Sequence, residues 1–534
     1  MTTRPLPVLD LPAPPRRSGG DPRSPARPAA AFDEYAIGPE ALPRFFVWTL
    51  GCQMNRSDSE EMAGALLAAG CAEAIAIESA DLVVINSCAV REVSERKVIG
   101  RMGQLAALKA ERPGTRVVLT GCAVRDQGPA ALRRRYPAVD LFLRPDQEPE
   151  LVARLGLAGP TAPAMLGAGV AAPDRPDASP MLAARASAVA AGTIRRGQPW
   201  AAWVPVIYGC DKTCSYCIVP FSRGPERSRP FDGVVEECRR LGEAGALEVT
   251  LLGQNVNSYG HDLPREERFA AIAAQRPLGR RLDLAGRPDF AALLRAVDGL
   301  RRGDAQPAIP RLRFLTSHPW DLTDRLIEAI AGCPSVCGHL HLPVQSGDDA
   351  LLRRMGRQYA VEGYLGLVER LRAAVPGIAL STDVIVGFCG ETEAQYEATL
   401  ALLRAVRYDQ VFAAAYSVRP GTPAARLPDD VPPEEKRRRL NALLALQEEI
   451  GRERNRSWVG REVEVLVDGW SPPGGHSHDG GGPPIRPGAA RPLAGRTREN
   501  KLVHLDGGPE RVGTIVHARV DHAGPYSLVA TALT

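Results

Sequence analysis

No run of about eighteen consecutive apolar residues occurs in the 534-residue chain, so no ordinary membrane-spanning helix is expected. The N-terminal segment lacks the apolar core of a secretory signal and is rich in proline and arginine instead. An excess of one charge is missing too. The net charge is only +4, which permits a nucleic-acid partner without arguing for one, because phosphate contact depends on local basic patches. Repeats of fixed period are absent, which excludes a solenoid. The expected setting is the cytoplasm, away from any membrane. There the 11 cysteines are thiols or metal ligands rather than disulfides.

What is present is 44% hydrophobic and 24% charged residues, enough to bury real cores, on a chain too long for one. Residues 1–43 carry proline- and arginine-rich tracts and read as a disordered tail. The stretch 158–199 is dominated by Ala, Pro and Gly and reads as a linker, and 471–492 as a long Gly/Pro/His-rich loop. Three folded blocks remain. In 44–157, strand-like runs Phe45–Leu50, Leu82–Ile85 and Arg116–Thr120 alternate with helical patterns, which predicts an N-terminal parallel α/β sheet. Met62, Leu66 and Ala69 recur at helical spacing behind Asp58 or Ser59 as N-cap. In 200–457, six strand–helix units, starting at Trp203–Tyr208 and ending at Val411–Tyr416, predict a partial (β/α)6 barrel. In 458–534, short strands broken by Gly and Pro predict a small β-barrel. The whole is an α/β multidomain protein.

Cys210, Cys214 and Cys217 form CxxxCxxC just after the first barrel strand, on the face where barrel active sites are built. Three thiolates can hold three irons of a cubane and leave the fourth open. The same residues would also suit a zinc site with a borrowed fourth ligand. Cys52, Cys88 and Cys122 each follow one of the three strands of the first block after one or two intervening residues. In an open parallel sheet such positions converge at the carboxyl edge, where a second metal cluster could sit. Three unrelated core cysteines remain the alternative. Cys71, Cys238 and Cys389 read as packing, and so does the pair Cys333 and Cys337, although CxxxC is also a weak metal pattern.

The run Tyr208–Pro230, the segment Leu251–Tyr259 and the segment His339–Gly347 resemble the radical S-adenosylmethionine methylthiotransferases, and the likeness extends over every folded block. Cys389 stands where that family usually has Pro. The resemblance implies two [4Fe–4S] clusters, one on Cys210, Cys214 and Cys217 and an auxiliary one on Cys52, Cys88 and Cys122. It implies S-adenosylmethionine near Gly253, Gln254, Asn255, His341, Gln345, Ser346, Asp383 and Gly387. Each of these also has a bland reading: Gly253 and Gly387 as tight turns, His341 as a satisfied core histidine. The implied chemistry is methylthiolation of a modified adenosine beside the anticodon of tRNA. One adenosylmethionine would yield a 5′-deoxyadenosyl radical that takes hydrogen from the base, and a second would methylate the sulfur. An electron donor and a sulfur source are implied but not identified, and a monomer is expected. The C-terminal block resembles a TRAM domain. Arg223, Arg227 and Arg229 beside the cluster loop, with Arg496, Arg498 and Lys501 on the C-terminal barrel, are the expected RNA contacts. Each basic run would equally suit a solvated face.

Overall fold

The computed structural model describes residues 43–89, 92–125, 129–157, 180–279, 281–471 and 492–533. The expected tail up to residue 42, the first part of the expected linker and nearly all of the 471–492 loop lie outside these residues.

The first block is a five-stranded parallel sheet in the order β2-β1-β3-β4-β5. Its strands are β1 (Arg44–Leu50), β2 (Ala72–Glu73), β3 (Leu82–Ser87), β4 (Arg116–Thr120) and β5 (Leu141–Phe142). Side chains alternate between two faces. Val83, Ile85, Val117 and Leu119 pack under helix α2 (Glu92–Glu111), whereas Phe45, Leu82, Val84 and Val118 pack against α1 (Gln53–Ala68). Covering both faces explains why β3 is apolar nearly throughout, with all six residues buried. Helix α1 starts at Gln53 with Cys52 as N-cap, nearly two turns before the expected cap. Asp58 and Ser59 do not cap because their side chains are taken up elsewhere, by Arg223 and by Thr49 and Asn86. Helices α3 (Pro129–Arg135) and α4 (Leu151–Arg154) complete the block.

The expected linker is corrected at its C-terminal half, where α5 (Pro180–Ala191) forms. A run rich in Ala reads as low complexity, yet Ala is the best helix former. Arg185 on α5 is fully buried and donates to Ser57, Glu61 and Glu237, tying the first block to the second.

The second block is the expected partial barrel, six parallel strands in two sheets of three. They are β6 (Ala201–Pro205), β9 (Glu248–Leu252) and β10 (Arg311–Phe314), then β11 (His339–His341), β12 (Ala379–Val386) and β13 (Gln410–Ala415). A parallel bridge between Leu312 and Val336 joins the sheets, and no ladder among the described residues closes β6 onto β13. The expected strand Trp203–Tyr208 is split. After Pro205, which has no N–H to donate, β7 (Ile207–Tyr208) turns to pair antiparallel with β8 (Arg227–Ser228). Helices α7 (Phe231–Glu243), α8 (Phe290–Asp298), α9 (Asp324–Gly332), α11 (Val361–Ala374) and α12 (Glu393–Val406) cover the outside, and the short α6 (Val219–Ser222) and α10 (Asp349–Arg354) lie in strand-end loops. Local sequence sets their ends: Thr392 and Gln395 form a capping box at α12, and Asp289 accepts from Ala292 N–H at α8.

Helix α13 (Pro433–Arg456) leads into a closed five-stranded barrel in the order β14-β15-β16-β18-β17. Its strands are β14 (Glu462–Trp470), β15 (Leu493–Thr497), β16 (Leu502–Leu505), β17 (Ile515–Ala523) and β18 (Ser527–Ala532). Arg311 and Arg313 on β10 donate to the carbonyls of Arg496, Thr497 and Arg498 and so dock it on the larger barrel. No helix of the described residues is long and apolar enough to cross a membrane.

Candidate active site

Two groups of three cysteines face each other across the boundary between the first two blocks. In the first, Cys52, Cys88 and Cys122 stand at the carboxyl ends of β1, β3 and β4. Their approach leaves no room for side chains between them. A Cβ on Gly51 would lie 2.7 Å from Cys88 Cβ, and one on Gly121, at φ +85°, would overlap Asn86. Buried amides brace the edge: Asn55 donates to Asn86 (2.6 Å), and Asn86 donates to Asn55 O (2.8 Å) and Ser59 (3.1 Å). The Cys52 thiol donates to Asn55 Oδ1 (3.2 Å). Its pKa is drawn down to about 6 by a hydrogen bond from Cys88, against burial and with help from Arg223. Burial pushes the Cys122 thiol up, with Arg223 opposing.

The second group sits on the loop after β7. Gly209, at φ +74°, passes so close to the Pro225 carbonyl that no side chain fits, and its N–H donates to Gln254 (2.6 Å). Cys210 N–H donates to Gly224 O (3.1 Å), and Cys217 N–H to Cys214 O (3.1 Å). Ser215 anchors the loop across the barrel through Met355 O and Arg354 O, both at 2.9 Å. Arg357 approaches Cys214 Sγ (3.7 Å). Burial pushes the Cys217 thiol up to about 12, and the charges of Cys214 and, across the boundary, Cys122 add to it. Burial drives Cys210 well up, and Glu226, Cys217 and Cys214 reinforce this. Three clustered thiols, Cys210 buried and Cys214 and Cys217 half-buried, repel one another as thiolates when alone and become a good donor set once a cationic group binds them.

The two groups meet where Cys122, Ala89 and Ile218 pack together. Arg223 reaches across the same boundary, donating from Nε to Cys122 Sγ (3.2 Å) and from Nη2 to Asp58 (2.6 Å).

The remaining expected residues divide. Gln254 holds the cysteine loop through Gly209. Gly253 lies against Ile207 and Gly387 against Lys436, so both are close-approach positions. Asn255 is buried and donates to Glu226 (3.2 Å) and Asp321 (2.7 Å). His341 lines the barrel interior with Asp383, its Nδ1 2.9 Å from Ser381 Oγ and Nε2 3.4 Å from Asp383. Gln345 is buried, at φ +74°. Ser346 is buried against Thr399 and accepts from Asp348 N–H, which turns it into the helix packing instead of the lumen.

Four expected RNA contacts are corrected. The Arg223 side chain is 2% exposed. Arg229 is buried on Glu237 and Pro205 O. Lys501 is buried on Asp409 and Asn455. Arg498 is spent on the carbonyls of Pro310, Pro334 and Val336. Clusters of basic letters read alike whether they meet solvent or carboxylates. Arg227 is exposed, and Arg496 borders a shallow cavity with His339, Glu499 and Asn500. The five other cysteines are all buried.

Sequence reasoning missed Arg357, Asp58 and Phe412, the last an exposed ring 5.7 Å from His341 in the lumen. It also missed the group Asp211, Glu226 and His261, whose ligating atoms lie within 4.8 Å of one another. Burial lowers the His261 pKa, but Asp211 and Glu226 outweigh it and raise the imidazole to about 9. As a cation it already balances the two carboxylates.

Residues 204–403 match the radical SAM superfamily, and residues 44–144 match a family described as uncharacterized protein family UPF0004. A partial six-stranded barrel with CxxxCxxC on its first loop defines a radical S-adenosylmethionine enzyme, which uses that cofactor and a [4Fe–4S] cluster. A tRNA-2-methylthio-N(6)-dimethylallyladenosine synthase of Roseiflexus sp. (strain RS-1) is 40% identical over 494 residues, 91% of this chain and 88% of that one. Another, from Herpetosiphon aurantiacus, is 40% identical over 91% of this chain and 96% of its own. A solved radical S-adenosylmethionine methyltransferase from Kitasatospora setae aligns more distantly, with TM-score 0.47 and 16% identity over 71% of this chain and 75% of that one. The chain belongs to the tRNA-2-methylthio-N(6)-dimethylallyladenosine synthase family.

Proposed function

We propose that this enzyme replaces the hydrogen at C2 of N6-isopentenyladenosine, beside the anticodon of tRNA, with a methylthio group. Cys210, Cys214 and Cys217 hold one [4Fe–4S] cluster and Cys52, Cys88 and Cys122 a second. When bound, the first supplies the electron that cleaves adenosylmethionine, and the second supplies the sulfur. The chain's own work is placement. Gly209 and Gln254 set the cysteine loop over the lumen. His341, Asp383 and Phe412 line the space a flipped base would enter, with Ser381 fixing the imidazole. Of the six basic residues expected at RNA, exposed Arg227 and Arg496 at the cavity rim are the two this reading gives to phosphate. An external reductant and sulfur source, a monomer and a cytoplasmic location belong to the same reading.

The observation that carries it is the meeting of two three-thiol groups at Cys122 and Ile218. That arrangement brings a sulfur donor next to the barrel mouth where hydrogen is removed. The test is nucleoside mass spectrometry. The anaerobically reconstituted protein is incubated with adenosylmethionine, dithionite and tRNA bearing isopentenyl-adenosine, beside tRNA bearing threonylcarbamoyl-adenosine. Conversion of the isopentenyl nucleoside alone is expected. Conversion of the other alone would move the substrate but leave the cysteine roles. Formation of 5′-deoxyadenosine with neither nucleoside changed would refute the substrate.

A further inference from the structure

Arg223 follows the cysteine loop at the end of α6, where its N–H donates to Val219 O (2.8 Å) and the chain turns toward the first block. Its guanidinium is enclosed, with the side chain 2% exposed. Two of its nitrogens are accounted for: Nε on Cys122 Sγ at 3.2 Å and Nη2 on Asp58 at 2.6 Å. The third, Nη1, is buried and has no hydrogen-bond partner. A bare buried donor on a charged group is unfavourable, because it has given up water without gaining a partner. A simple tie between domains would need only Asp58. It would neither put Nε on a sulfur nor leave Nη1 buried and bare. Burial works against the charge of Arg223, while Asp58, Cys122, Cys52 and Glu148 outweigh it.

We propose that Arg223 is the positioning residue of the Cys52–Cys88–Cys122 site: Nε–H fixes Cys122 Sγ, and Nη1–H is the donor to an inorganic sulfur of the group those cysteines hold. This rests on the reading above that they hold a sulfur-supplying cluster. Hydrogen bonds and positive charge beside cluster sulfurs raise the reduction potential, and outer partners of this kind orient the ligands they touch. The loop that carries one cluster's cysteines thereby adjusts the other cluster, so the two sites are tuned as a pair.

The experiment uses the full-length chain with Cys210, Cys214 and Cys217 replaced by Ala, reconstituted anaerobically so that only the second site contributes. Iron content, electron paramagnetic resonance and the midpoint potential are read for this parent and for added R223Q, R223K and D58N. R223Q is expected to lower the potential and alter the spectrum, R223K to recover part of both, and D58N to raise the potential by removing a negative charge. In the otherwise native enzyme R223Q is expected to cut methylthio product about 10–100-fold. An unchanged potential in R223Q at full iron content would overturn the proposal. So would a D58N potential that falls as far as that of R223Q, since only the domain contact would then matter. If R223Q takes up no iron, R223K and D58N decide between the same outcomes by the opposite directions of their shifts. A parent that binds no iron would refute the cluster assignment itself, a different failure from that of Arg223.

Discussion

Cys210, Cys214 and Cys217 share one short loop, whereas Cys52, Cys88 and Cys122 come from three strands far apart in sequence. The loop group is held by backbone bonds to Gly224 and Met355 and by Gln254 beneath Gly209. The sheet group is held by strand register, glycines at the strand ends and the paired amides of Asn55 and Asn86. A loop can adjust to what it binds, while a sheet edge presents its donors in advance. That division suits the proposed reading, in which a cofactor is cleaved at one site and a sulfur is held still at the other.

The largest effect expected is a split between the two groups. Replacing any of Cys210, Cys214 or Cys217 by Ala should abolish both 5′-deoxyadenosine and methylthio product. Replacing Cys52, Cys88 or Cys122 should abolish the methylthio product while 5′-deoxyadenosine still forms. Chromatography of both products in the same assays reads this, and loss of 5′-deoxyadenosine from the sheet variants would break the division.

Next in size is rigidity. Gly121→Ala forces a side chain into left-handed backbone at φ +85° and onto Asn86. The left-handed conformation alone costs about 1–2 kcal/mol. The variant should melt at lower temperature and hold about half the iron of the parent, four of eight atoms, if the sheet edge cannot give way. Full iron content would show that the edge is as compliant as the loop.

A smaller effect sharpens the parallel between two arginines. Arg357 stands to Cys214 as Arg223 stands to Cys122, with Nη2 on Pro343 O (2.8 Å) and Nε buried without a partner. Arg357→Met should slow 5′-deoxyadenosine formation about 10–100-fold, with iron content kept. An unchanged rate would leave Arg223 as the one arginine that matters to a cluster.

The same contrast explains what could be read from the letters. The CxxxCxxC loop is local, and its spacing survives any tertiary context. The sheet group was legible only because each cysteine follows an apolar run, and strands that alternate with helices make a parallel sheet whose carboxyl ends lie on one edge. Arg223 and Arg229 were misjudged because burial is a tertiary property: the carboxylates that absorb them, Asp58 and Glu237, lie far off in sequence or on another face. Helix α5 was hidden by a composition shared between linkers and good helices. Ser346 sits beside residues of the lumen, yet the positive φ of Gln345 turns the chain and sends its hydroxyl to Thr399.

The smallest effect separates the two sites by pH. On the sheet edge the amides do not titrate, but the Cys52 thiol, drawn down to about 6, adds stability as pH rises toward its ordinary value of about 9. The barrel loop has Asp211 beside Cys210, bonded to Glu226 N–H (3.1 Å) and facing His261 at 3.7 Å. Burial depresses the His261 pKa, but the two carboxylates raise it to about 9 in the folded protein, above its ordinary value of about 6.5. A raised folded pKa means that this stabilisation is complete below about 6.5 and is lost as pH climbs through about 9. In a Cys52→Ser parent, which lacks the opposing thiol, the melting temperature of the apoprotein should therefore fall by a few degrees between neutral pH and pH 9.5. His261→Gln should remove that slope, with a lower melting temperature at pH 6.5 that converges on the parent in alkali. If the slope persists in the variant, the pH response lies outside this loop, and the contrast between a barrel site that loses stability in alkali and a sheet edge that gains it does not hold.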